Sequence, residues 1–371
     1  MQDTRKEFKR ALFNGSFDSF YNHTLQKLEN VELDQFIKDI EEEKLEILLY
    51  KELEQKEILV DQLIPVFKNL KESYKIEAAY QGMQLMETRK ILEKLPFPVL
   101  VLKGMVMRFF LQQGLYKRSG DIDLLVGKKH ISDTIEKLTQ LGYKKKAFYF
   151  AHGEISLFNS VNQMIDLHYD ISVSSPYMSL FKINRSAFFD EKMKLEFEDT
   201  NLDTFNKEFS LLYLCIHFAI NHRCSEFILL FELKEFLNIH LENLDRIKII
   251  ALSKKHHLLP ILYLVLHMIN KIGDFEKIKD FQKLVKVHLP NATQIDAIFD
   301  EYQMEQYVLE DVNREKYFPL SEIVLNNKRK KYAYKIAILK QSVLETIYKI
   351  NGIVYWPVYN LFNQGKRANV S

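Results

Sequence analysis

The chain has 371 residues and a formal net charge of +2, with 47% hydrophobic and 27% charged residues. That length exceeds what one compact core usually organises, so two or three domains are expected, and the composition excludes an intrinsically disordered chain. Only 11 Gly and 8 Pro are present, which favours long helices over many short strands.

The first residues, MQDTRKEFKR, place no apolar stretch behind a basic start, so no secretory leader is expected. No run of about 18 uncharged apolar residues occurs, and no spanning helix is expected. Cys215 and Cys224 lie nine apart without metal-ligand spacing. Neither a disulfide framework nor a zinc site is expected, and the expected compartment is a reducing cytoplasm.

In chain order, residues 5–93 read as helix. Phe36, Ile40, Leu45, Leu48, Leu49 and Leu53 recur at three-to-four spacing. A second stripe runs through Leu63, Val66, Phe67 and Leu70, and a third through Ile76, Ala79, Tyr80, Met83 and Met86. Pro96 and Pro98 end this pattern and begin an extended segment. Val99 to Leu102 is a short apolar run of the kind buried strands show, and Met105 to Gln113 reads as a helix. Asp121 to Val126 is a second strand, Ile131 to Leu141 an amphipathic helix, and Gly142 its C-cap. Strands are expected over 143–150, 154–159 and 163–171, which makes 97–172 a small α/β unit. After 203 the helical period returns, with Phe209, Leu212, Tyr213, Ile216, His217 and Ile220 on one face. Further helices are expected over 227–239, 258–272 and 281–287, and a closing one carries Ile336, Leu339, Val343, Ile347 and Ile350.

The feature that points to chemistry is Asp121-x-Asp123 in an apolar strand. Residues i and i+2 of a strand project from one face, so the two carboxylates stand side by side. Like charges held close are costly unless a cation lies between them. Mg²⁺, or Mn²⁺ in its place, suits such a pair, because Mg²⁺ takes one or two carboxylates and completes its shell with water and phosphate oxygens. Met164-Ile165-Asp166-Leu167-His168 is a second apolar strand with one embedded acid. Paired beside the first, it makes Asp121, Asp123 and Asp166 a three-carboxylate metal site able to hold two ions. Asp166 would then orient or deprotonate an incoming hydroxyl. Upstream, Lys103-Gly104 lies where a strand turns into a helix. There a glycine admits close approach of phosphate, and Lys103 or Arg118 can neutralise triphosphate charge.

The run Leu102-Lys103-Gly104, then Arg118-Ser119-Gly120-Asp121-Ile122-Asp123, then Ile165-Asp166-Leu167-His168 resembles the nucleotidyltransferase superfamily with the polymerase-beta-like fold. It is most similar to a bacterial family of uncharacterised nucleotidyltransferases. With the element pattern above, the reading is an α+β architecture: a small mixed-sheet nucleotidyltransferase core expected over residues 95–202, between a helical region at 1–94 and a helical domain at 203–371 that ends in a basic segment. The resemblance implies metal-dependent transfer of a nucleotide monophosphate from an NTP, ATP among them, to a hydroxyl or phosphate acceptor, with pyrophosphate leaving. By position it assigns metal binding and catalysis to Asp121, Asp123 and Asp166, and nucleotide binding to Lys103, Gly104, Arg118 and Ser119. A weaker match runs through Leu214-Cys215-Ile216-His217 and His222 to Phe231-Glu232. The chain has Met105 where the superfamily often has Ser or Gly, and Glu232 where family members usually have Asp.

His168 shares a strand face with Asp166 and reads as a hydrogen-bonded structural histidine or a site neighbour. His217 and His222 are five apart, off the spacing for chelation on a helix, and read as packing residues. Residues 328–371 carry nine Lys/Arg and one Glu. RNA contact and an anionic membrane surface are both readings of that segment, and an amphipathic closing helix packed on the acidic remainder is the preferred one. Two alternatives therefore stand beside the transferase: an RNA- or tRNA-modifying enzyme of toxin or defence type, and a non-catalytic interaction protein with a degenerate site.

Overall fold

The computed structural model describes residues 2–56, 59–111, 117, 120–149, 154–171, 188–197, 200–301, 303–304 and 308–309. The basic segment 328–371 and the closing stripe from Ile336 lie outside these residues. The first part of the chain is helical: α1 (Gln2–Asn14), α2 (Phe17–His23), α3 (Asn30–Glu42), α4 (Glu46–Glu54) and the 30-residue α5 (Leu63–Leu92). The first stripe read from the sequence is the buried one, with Phe36, Ile40, Leu45 and Leu49 all at 2% exposure or less.

The third stripe is inverted. Ile76, Met83 and Met86 are 70%, 57% and 74% exposed, while Glu77, Gln81, Gln84 and Thr88 are buried. The helix is there, but its polar face points inward. The reason is the surface that this face meets. Gln81 Nε2 donates to the Lys117 carbonyl at 3.1 Å and to Glu77 Oε1 at 3.0 Å, and the Tyr143 hydroxyl donates to Glu87 at 3.2 Å. Polar neighbours of this kind are better served by amides and carboxylates than by methionines.

The central sheet is mixed, as the sequence led us to expect. Strands β1 (Val99–Val101), β2 (Asp121–Val126), β3 (Lys144–Tyr149), β4 (Glu154–Phe158) and β5 (Met164–His168) lie in the order β1-β2-β5-β4-β3. Only β2 and β5 run parallel; the other pairs are antiparallel. Leu124, Leu125, Ile165 and Leu167 are almost fully buried, each contributing roughly 1.5–3 kcal/mol of apolar transfer. Two helices connect the strands: α6 (Gly104–Phe110) and α7 (Ile131–Gln140), the latter ended by Gly142 at φ +92°.

A hairpin of β6 (Lys192–Phe197) and β7 (Thr200–Phe205) follows, and the sequence reading did not foresee it. Its Thr204 hydroxyl donates to the Val101 carbonyl at 2.7 Å, tying the hairpin to β1. Helix therefore resumes at Lys207 rather than 203, with α8 (Lys207–Ile216) capped by Asn206. A π turn (His217–Asn221) continues α8. Then come α9 (Phe227–His240), α10 (Arg246–His256), α11 (Leu259–Ile272), α12 (Glu276–Val287) and α13 (Ala292–Glu301). The sequence stripes located α9, α11 and α12; α10 and α13 are additional. Among the described residues no helix is long and apolar enough to cross a membrane.

Candidate active site

The parallel pairing of β2 with β5 sets Asp123 directly opposite Asp166 and Asp121 opposite Met164. In-register neighbours on parallel strands project from the same face, so both aspartates of β2 meet the acid of β5. One oxygen from each of Asp121, Asp123 and Asp166 lies within 4.8 Å of the others. Strand alternation supplied the first pair, and the expected strand pairing supplied the third carboxylate.

The three acids differ in state. Asp123 is 4% exposed. Burial alone would raise its pKa, but Lys103 and His168 outweigh burial and hold the carboxyl well below its ordinary range. Lys103 Nζ donates to Asp123 Oδ1 at 2.8 Å, and His168 Nε2 lies 2.7 Å from the same oxygen. The Asp123 charge lifts Asp121, and burial adds to that. Burial, with the charges of Glu154 and Asp121, pushes Asp166 up to about 8. Asp166 and Asp121 share a hydrogen bond, and Ser156 Oγ donates to Asp166 Oδ1 at 2.7 Å. Both carboxyls are thus raised and joined by one hydrogen bond, as like charges held close favour. The donor set, all carboxylate oxygen, fits Mg²⁺ or Mn²⁺.

Lys103 sits at φ +47°, ψ −123°, one residue before α6. The unusual backbone thus falls on the lysine, not on Gly104 beside it. Asp123 raises the Lys103 pKa against the opposing effect of burial, and the Lys103 charge also acts on the buried Tyr213 hydroxyl of α8. Lys103 and Gly104 border a cavity of about 530 Å³ that also takes in the three aspartates. Arg118 and Ser119 lie outside the described residues.

The helical regions close this cavity. Lys44 reaches it from the α3–α4 turn, and His217, Asn221 and His222 come from the π turn and its end. Glu226 and Glu232 come from α9 and its cap. The buried Glu232 accepts from Lys117 Nζ at 2.8 Å. His217 and His222 are therefore not simple packing residues. In an α-helix, residues five apart point about 140° away from each other; the π turn brings these two rings to 4.5 Å, edge to face. His168 is buried against Asp123 and has Nδ1 3.7 Å from Glu154 Oε2, so it touches the site.

Several site residues were missed from the sequence. Glu154 and Ser156 stand opposite His168 and Asp166 on β4, a placement that strand alternation could have suggested once β4 was set beside β5. Tyr213, Lys117 and Glu226 carried no local signal, because each reaches the site only through tertiary packing.

A mixed α+β fold with three carboxylates clustered at neighbouring strands, beside a lysine and a glycine turn, defines a candidate metal-dependent phosphoryl-transfer centre. The family described as "Uncharacterised nucleotidyltransferase" matches residues 29–274. The chain belongs to that family and is a nucleotidyltransferase. Among solved structures, the crystal structure of the lincosamide antibiotic adenylyltransferase LnuA with lincomycin bound is similar at 16% identity and a TM-score of 0.30, covering 43% of this chain and 96% of that one. No curated protein matches the chain.

Proposed function

We propose that this protein transfers a nucleoside monophosphate from an NTP, with Mg²⁺ or Mn²⁺, to a hydroxyl or phosphate acceptor, releasing pyrophosphate. The observation that carries the reading is the register of β2 with β5, which clusters Asp121, Asp123 and Asp166 on one wall of the cavity. The divalent ion would supply charge neutralisation for the triphosphate and the departing pyrophosphate. Asp121, Asp123 and Asp166 would hold it, and Asp166 would also orient the acceptor oxygen. Lys103 fixes one oxygen of Asp123 and sets a positive charge beside Gly104 where phosphate oxygens approach. Arg118 and Ser119, between Lys117 and Asp121 in the chain, extend the nucleotide-binding set. Catalysis is mostly positioning and charge stabilisation. Both cysteines are free and buried, in keeping with a cytoplasmic protein.

The test is incubation of the purified chain with α-labelled NTPs, Mg²⁺ or Mn²⁺ and a panel of hydroxyl and phosphate acceptors. Label should move to an acceptor in the wild type and stay in the nucleotide with Asp123→Ala. Transfer that survives Asp123→Ala would sink the assignment.

A further inference from the structure

Asp166 is read above as a metal-binding carboxylate that orients the acceptor oxygen, and a second group able to take the acceptor proton borders the same cavity. His222 Nδ1 lies 2.7 Å from Glu226 Oε1. An ionised carboxylate only accepts hydrogen bonds, so a neutral His222 paired with it carries its proton on Nδ1 and its lone pair on Nε2. A carboxylate that fixes a histidine tautomer in this way is the arrangement that readies imidazole as a base. Both residues border the cavity that holds the three aspartates. His217, whose ring lies 4.5 Å from that of His222, borders the same cavity, and after burial the charge of Lys103 presses its pKa down.

The backbone around the pair is unusual at each step. The His222 N–H bonds the His217 carbonyl at 3.2 Å, completing the π turn. Arg223 and Cys224 follow at φ +50° and +56°, a conformation that L side chains adopt rarely. Ser225 then donates through its N–H and its hydroxyl to the His222 carbonyl, at 2.9 and 2.6 Å. Within these turns Cys224 is fully buried, and its N–H bonds the Phe218 carbonyl at 3.0 Å, which ends the helix. Their combined effect is to seat His222 beside Glu226 and turn both to the cavity.

We infer that the Glu226–His222 pair is the general base of the transfer and that the acceptor is a hydroxyl compound rather than a phosphate. The inference rests on the nucleotidyltransferase reading. In the step, the acceptor O–H proton passes to His222 Nε2 while the oxygen forms a bond to the α-phosphorus. The bond from that phosphorus to the bridging oxygen breaks, and pyrophosphate leaves with its electron pair. Deprotonated His222 is regenerated by loss of the proton to solvent. An acceptor phosphate, already ionised at neutral pH, would need no such base.

Three measurements test this on the full chain: NTP·Mg²⁺ affinity by calorimetry, pyrophosphate release with Mn²⁺ to water or glycerol, and the ¹⁵N shifts of His222. The expected result is a loss of pyrophosphate release of about 100-fold or more in His222→Ala, with nucleotide affinity within twofold of wild type and partial rescue by added imidazole. Glu226→Gln should lose less, and the wild-type ring should show a proton on Nδ1 and none on Nε2. Unchanged release in His222→Ala, nucleotide affinity lost in parallel, or a proton on Nε2 would each overturn the pair as base. A wild type that binds no NTP·Mg²⁺ overturns the nucleotidyltransferase reading itself and this inference with it. Where water and glycerol prove too poor as acceptors for release to be seen, the His222 tautomer in the NTP·Mg²⁺ complex decides.

Discussion

Lys103 combines three roles that a sequence shows only as a basic residue before a glycine. It occupies a positive-φ position, its ammonium holds Asp123, and its charge acts on the buried Tyr213 hydroxyl. The backbone conformation costs about 1–3 kcal/mol, and leaving a buried carboxylate without its partner costs about 3–5 kcal/mol. Lys103→Met keeps the strain and loses the pair, so it should destabilise by about 3 kcal/mol or more. Lys103→Gly relieves the strain and should be less destabilising by about 1–2 kcal/mol, while both variants lose transfer. Urea denaturation of the two proteins measures the difference; equal stabilities would show that the turn is not strained.

Asp166 gives a pH dependence with a defined sign. Its pKa is raised from the ordinary carboxyl range to about 8 in the metal-free protein. The folded state therefore binds more protons than the unfolded state between about pH 4 and this raised value. The stabilisation is fully present below about pH 4 and is lost as pH rises through about 8. Asp166→Asn should flatten that decline in thermal melts of the metal-free protein. Metal binding needs the ionised form, so at pH 7 calorimetry in buffers of different ionisation enthalpy should register close to one proton released per ion bound.

At the scale of elements, periodicity located most helices and all five strands of the central sheet, and strand alternation placed Asp121 beside Asp123. What periodicity could not tell was which face of α5 turns inward. Ile76, Met83 and Met86 form a regular stripe, yet Gln81 and Glu77 are the buried side, because the helix meets backbone carbonyls and a tyrosine hydroxyl there. The consequence is measurable. Met83→Lys should change stability by no more than about 0.5 kcal/mol, whereas Gln81→Leu, which leaves the Lys117 carbonyl without its donor, should cost about 1–3 kcal/mol. The π turn is the second element that spacing rules miss. Counting residues on an α-helix separates His217 from His222, and one wider turn reunites them.

Across the whole molecule, the site belongs to no single segment. The carboxylates come from the sheet, Tyr213 and the histidines from the C-terminal helices, and Lys44 and Gln81 from the N-terminal ones. Local sequence made the carboxylates legible, because three embedded acids in apolar strands stand out. The closing wall was legible only in part: the weaker family match ran through His217, His222 and Glu232, but the Lys117–Glu232 pair was not, because the two are 115 residues apart and meet only in the folded chain. That ion pair links the sheet side of the cavity to α9. Lys117→Met should destabilise by about 3–5 kcal/mol by stranding the buried Glu232, and Lys117→Met with Glu232→Leu should recover most of the loss, as a double-mutant cycle in urea would measure.

The claim on which the rest depends is that Asp121, Asp123 and Asp166 together hold a divalent ion with an NTP. Electron paramagnetic resonance of Mn²⁺, titrated into the protein with and without NTP, measures it directly. The wild type should bind Mn²⁺ more tightly when NTP is present, and Asp121→Asn, Asp123→Asn and Asp166→Asn should each lose that enhancement. Mn²⁺ bound with equal affinity by wild type and all three variants would contradict it.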